Sequence, residues 1–139
     1  MTTATTAEYV APAQSGAVDG LALAGRVLIA AIFVLSGLAK FSDPAGTAAY
    51  VASVGLPAPD VAAWGAALLE TIGGLALIVG FRTRPVAIAL AAFSVVAAVI
   101  FHSALADQNQ FIHFFKNLAM AGGLLQVAAF GPGRFAVTR

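Results

Sequence analysis

A lone carboxylate inside an apolar run is the first residue of this chain that demands chemistry: Glu70, within VAAWGAALLETIGGLALIVG at 61–80. As a helix that run is about 30 Å long, the thickness of a bilayer's hydrocarbon core. An ionised carboxylate at its middle costs several kcal/mol unless it is paired, hydrated or protonated, so another helix must supply a partner. Candidates are few, because the 139 residues include only seven Lys and Arg and six Asp and Glu. Arg26 lies in the first apolar run and Lys116 in the last; by helical rise they sit roughly 6 and 7 Å to either side of Glu70, within reach of a long arm. The spacing predicts that Glu70 pairs with one of them or bridges both. Lys40, His102, Lys116 and Asn117 all fall in one half of the membrane or at its edge, where they would form a basic, hydrogen-bonding mouth above Glu70.

A His–Glu–Lys cluster under an apolar roof is suited to a planar carbonyl compound. His102 or Lys116 would donate to a carbonyl oxygen and Glu70 would move protons. These three are the expected catalytic residues, with Arg26, Lys40 and Asn117 as ligand-binding neighbours, and the expected ligand is a quinone. Phe33, Phe101, Phe114 and Phe115 are available to flank its ring. The plainer reading of the same residues is structural, with Glu70 and a cation fixing the rotation of two helices and His102 and His113 serving as polar interfacial groups. A bis-histidine haem on His102 and His113 is disfavoured, since both fall at one membrane edge on adjoining helices. There is no metal-ligand spacing and no phosphate-binding loop.

The elements that position these residues follow from composition. Hydrophobic residues make up 60% of the chain and charged residues 9%, with a mean hydropathy of +0.94; soluble domains average roughly 45–50% and 25%. A net charge of +1 with no basic run carries no argument for nucleic acid. The absence of cysteine removes disulfides, thiolate metal sites and dithiol redox chemistry on this chain.

The pattern reads as all-α, an integral membrane antiparallel four-helix bundle with a short interfacial helix between its first two crossings. Residues 1–19, small and polar without apolar period, read as a disordered tail, and Asp19 as the N-cap of the first crossing at 20–39. Asp43-Pro44 signals the start of a short helix that Gly55 stops, with Tyr50 as its interfacial anchor. A turn at Pro57, Pro59 and Asp60 leads into the second crossing, 61–80, with Trp64 at headgroup depth. The third crossing is expected at 85–104, with Pro85 in its first turn, and the fourth at 111–130 after a polar turn, ADQNQ. GPGR stops the fourth, so the transmembrane domain spans 20–134 and residues 135–139 are a short tail. Arg26, Arg82, Arg84, Arg134 and Arg139 then lie toward the side that holds the termini, against Lys40 and Lys116 on the other. The positive-inside rule predicts both termini in the cytoplasm. Glycines and alanines recur along the crossings, as close helix contacts in lipid require, and in numbers that make a homo-oligomer reasonable.

Taken together, RVLIAAIFVLSGLAKFSDP, LLETIGGLALIVGFRTRP, FHSA, FFKNLAMAGGLL and the terminal GPGR resemble the DoxX family of small bacterial membrane proteins. The resemblance runs over 26–134 and rests on Arg26, Gly37 and Lys40, Glu70 with Gly73 and Gly74, His102, Lys116 with Asn117, and Gly131 to Arg134. It implies a four-helix protein of the bacterial inner membrane. Some members resemble the membrane subunit of an archaeal thiosulfate:quinone oxidoreductase, and others are associated with oxidative-stress and thiol-handling complexes. Sulfur exchange would need a partner, because this chain has no cysteine. Three functions therefore stand beside one another: a quinone-linked subunit of a redox complex, a non-catalytic anchor or assembly partner for soluble redox proteins, and a small-solute carrier. The last would call for inverted repeats or broken helices, which the sequence does not display.

Overall fold

The computed structural model describes residues 16–138. Among them are five helices and no strand: α1 (Gly16–Ser42), α2 (Pro44–Ser53), α3 (Pro59–Val79), α4 (Thr83–Phe101) and α5 (Gln108–Phe130). Most of the expected tail, residues 1–15, lies outside the described residues. Its last four residues are helical, so α1 begins well ahead of the expected Gly20. Nothing in GAVD breaks a helix, and an acid in the first turn favours the dipole. Asp19 is accordingly no N-cap: it is 1% exposed and accepts the backbone N–H of Arg134 at 2.9 Å.

Local chemistry accounts for the other boundaries. Asp43 caps α2, its carboxylate accepting the Gly46 N–H at 2.9 Å, with Pro44 opening the helix. Gly55, at φ +79°, takes the left-handed position that ends it. Pro59 is the first residue of α3 rather than part of a turn, because a proline at N1 sacrifices no helical hydrogen bond. α3 closes at Gly80, φ +76°, where the Phe81 N–H bonds back to Ala76 O at 2.9 Å. α4 starts at Thr83, two residues before Pro85, which the first turn tolerates for the same reason. α5 takes in part of the polar ADQNQ stretch because Asp107 caps it, accepting from Gln110 N at 2.9 Å.

α1 packs chiefly on α3 and α4 on α5, while α2 lies against α3 and α3 also meets α4. The core these contacts enclose is built of small and aliphatic residues: Ala30, Phe33, Leu77, Ala87, Leu90, Ala91, Ala121 and Leu124. Such a slim core leaves large apolar side chains outside, among them Leu28, Ile72, Val99 and Leu125, each more than half exposed. A soluble protein does not carry apolar side chains down the outside of every helix; lipid is the solvent that suits them. α1, α3 and α4 are long and apolar enough to cross a membrane. α5 is of similar length, with a polar first half.

The chain beyond α5 returns to the far end of the molecule. Val137 N–H bonds to Val79 O at 3.1 Å, Thr138 N–H to Gly80 O at 3.2 Å, and Arg82 N–H to Thr138 Oγ1 at 2.7 Å. α5 therefore begins beside the last residue of α4 and leads back to the turn between α3 and α4.

Candidate functional site

A cavity of about 450 Å³ opens among all five helices. Its polar groups fall into two sets on an otherwise apolar lining. The first is built by α1 and α3. Glu70, 5% exposed, accepts a hydrogen bond from Ser36 Oγ at 3.1 Å and lies 2.7 Å from Lys40 Nζ. Lys40 Nζ also donates to Ser36 Oγ at 2.8 Å, closing a triangle. Helix geometry explains it: side chains lean toward the N-terminus, so Lys40 at the end of α1 bends back one turn over Ser36 and onto Glu70.

This corrects the expectation that Glu70 pairs with Arg26 or Lys116. Arg26 is buried in the N-terminal half of α1. Its Nη1 donates to Leu77 O at 2.8 Å and its Nη2 donates to Phe135 O. The last carbonyls of a helix lack ordinary i+4 partners, and here a guanidinium fork supplements the weak 3.3 Å bond from Gly80 N to Leu77 O. Arg26, expected beside Glu70 as a ligand-binding residue, does not line the cavity.

The second set comes from the end of α4 and the start of α5. The His102 and His113 rings stack with centroids 5.0 Å apart at 25°. Gln110 Oε1 is 2.8 Å from His102 Nδ1, which therefore carries the proton and donates it. Lys116 Nζ lies 2.9 Å from His113 Nδ1; an ammonium only donates, so that nitrogen is the acceptor. Asn117 caps nothing in the cavity directly, its Nδ2 donating to His113 O at 2.9 Å while its side chain lines the wall. Aromatic side chains share the lining, Tyr50 and Phe101 in contact at 5.3 Å between centroids, together with Phe33 and Phe93. Phe114 and Phe115 contact each other and do not line the cavity.

Of the expected residues, the structure brings Lys40, Glu70, His102, Lys116 and Asn117 around one cavity and sets Arg26 apart. Ser36 and Gln110 were not anticipated. Ser36 stands one helical turn before Lys40, a spacing that marks shared-face neighbours; Gln110 sat in what reads as a turn. Among the described residues no three His, Asp or Glu side chains group closely enough to hold a metal ion.

Long apolar helices, a lipid-type exterior and a small Ala-rich core define a multi-pass α-helical membrane protein. Comparison with known proteins narrows this. The DoxX family matches residues 21–103, and the chain belongs to that family. It is 38% identical to inner membrane protein YqjF of Escherichia coli K12 over 120 residues, covering 84% of this chain and 88% of that protein. Inner membrane protein YphA of the same organism is 34% identical over 124 residues, 86% of this chain and 89% of its own length. A Bacillus subtilis protein provisionally named as an oxidoreductase, CatD, is 37% identical over 75 residues, 54% of each chain. No solved structure matches. The family match takes in Lys40, Glu70 and His102 and stops short of α5.

Proposed function

We propose that this protein is a quinone-linked inner-membrane subunit of an oxidoreductase or of a thiol-handling or oxidative-stress system, acting with protein partners. One observation carries the reading: Glu70, held by Lys40 and Ser36, shares an aromatic-lined cavity with His102 and Lys116. A cavity of about 450 Å³ lies within the range of small-molecule pockets, which combine apolar walls with a few convergent polar groups. Tyr50 and Phe101 suit the faces of a ring. The Lys116 ammonium would donate to a carbonyl oxygen. His102, whose Nδ1 proton is committed to Gln110, would offer Nε2 as a proton acceptor, and Glu70 would hold or release a proton under control of Lys40. Lys40 and Asn117 would position the ligand. The provisional oxidoreductase name of CatD is in keeping with this and no more.

The reading includes α5 as a fourth crossing, α2 lying at the interface, and both termini in the cytoplasm. The arginine bias supports the orientation, and the return of residues 137–138 to the α3–α4 turn supports the fourth crossing.

Menaquinone binding to the purified protein in detergent tests it, wild type against Glu70→Gln and Lys116→Met. Specific binding that both changes weaken by about tenfold or more, with helicity and melting preserved, is the expected result; each would remove one charge-assisted hydrogen bond. Absence of micromolar binding by the wild type would overturn it.

A second reading has its own support. The Lys40–Ser36–Glu70 triangle ties α1 to α3 without any ligand, so it also suits a pin between the two helices in a non-catalytic anchor. An anchor would lose stability or partners on Glu70→Gln and would bind no quinone at all.

A further inference from the structure

The charges around the cavity do not cancel. Glu70 and Lys40 neutralise each other at 2.7 Å. Lys116 has no such partner: its contact is the neutral Nδ1 of His113. The other acids among the described residues are engaged or remote: Asp19 with Arg134 at the far end, Asp43 and Asp107 as helix caps, and Asp60 in the first turn of α3. None of these four lines the cavity. The cavity thus holds two lysines and one carboxylate, one formal positive charge in excess, with Lys116 at its exposed rim and the Lys40–Glu70 pair further in. Ser36 and Asn117 add hydrogen-bonding capacity, and Tyr50, Phe93 and Phe101 add apolar bulk.

From this we infer that the preferred ligand of the cavity is a monoanion: a single negative oxygen carried on an apolar body, its charge set against Lys116 and its body against the aromatic wall. The inference rests on the quinone reading for the ring and deepens it, since it makes the favoured quinone one whose ring bears an ionised hydroxyl. The same chemistry is offered by the carboxylate of a fatty acid, which fits the charge without the ring. A neutral ring compound offers Lys116 no opposite charge, and a dianion exceeds the single positive charge available.

Three probes separate these sources: 2-hydroxy-1,4-naphthoquinone, ionised at neutral pH; 1,4-naphthoquinone, neutral with the same skeleton; and decanoate. Equilibrium dialysis against the full chain in an uncharged detergent measures each, with Lys116→Met and Lys116→Arg beside the wild type and circular dichroism as the folding control. The hydroxynaphthoquinone is expected to bind at least tenfold more tightly than naphthoquinone. Lys116→Met would abolish that preference and Lys116→Arg would retain it. Equal affinity of the two naphthoquinones in the wild type, or a preference that survives Lys116→Met, would overturn the inference while leaving the quinone reading in place. Lys116-dependent binding of decanoate alone would support the anion site and overturn the quinone reading. Binding of none of the three would overturn both.

Discussion

Lys40 Nζ lies 2.7 Å from Glu70 Oε2, joining the last turn of α1 to the middle of α3 with Ser36 bonded to both. Removing one partner of such a pair leaves the other uncompensated, whereas removing both leaves no charge to desolvate. Lys40→Met is therefore expected to lower stability by roughly 2 kcal/mol, less than the 3–5 kcal/mol of a fully buried pair, because the lysine side chain is a quarter exposed. The double change Lys40→Met with Glu70→Gln should recover most of that loss. Thermal unfolding in detergent of the two single variants and the double closes the cycle; additive losses would mean that the contact does not couple the helices.

The same two helices approach closely at Gly37. A Cβ there would stand 2.9 Å from Thr71 N and 3.0 Å from Ala67 O, backbone that cannot move without α3 moving with it. Gly37→Ala is expected to cost about 1–3 kcal/mol as overpacking and to weaken ligand binding, because it displaces Ser36 and Lys40 from Glu70. Gly65, with open space where its Cβ would be, is the control. Gly65→Ala in mid-helix should be neutral or stabilising by up to about 1 kcal/mol.

Arg26 calls for the opposite behaviour to the cavity residues. It is 1% exposed and holds the last turn of α3 and the segment after α5 together through Leu77 O and Phe135 O. Arg26→Met would remove both charge-assisted bonds, at about 1.5–3 kcal/mol each, leaving Leu77 O only its 3.3 Å contact with Gly80 N. Arg26→Lys would rescue little, lacking the fork. The expected signature is a fall in melting temperature with ligand affinity unchanged in the folded fraction. A loss of affinity without a loss of stability would return Arg26 to the binding site.

Arg26 also marks where the sequence stops being readable. Helix count and type were legible because apolar runs, Asp43-Pro44 and the glycines that stop helices act locally. That Glu70 needed a cation was legible too, from depth alone. Which cation answers it was not, because depth and reach alone do not tell how each candidate is otherwise engaged. Arg26 is engaged by backbone carbonyls, which carry no sequence label, and Lys40, in the last turn of α1, folds inward onto Glu70. Asp19 likewise read as a cap, since its partner is a backbone N–H at residue 134, more than a hundred positions away.

α5 has a polar first half that holds its apolarity below that of α1, α3 and α4. If α4 crosses the bilayer, its two ends lie on opposite sides. α5 begins at one of them, where Gln110 meets His102, and the segment after it reaches the other, where Thr138 meets Arg82. Twenty-three residues make a helix of about 34 Å, enough for the passage, and the cavity receives Lys116 and the half-buried His113 and Asn117. Because the chain has no cysteine, single cysteines placed at Ala17, Arg82, Asn109 and Val137 report sidedness against a silent background. A membrane-impermeant maleimide applied to intact cells should label the cysteine at 109 alone, with those at 17, 82 and 137 labelled only after permeabilisation. Labelling at 137 from the same side as 109 would mean that α5 does not cross, and the cavity would then lose the wall that carries Lys116.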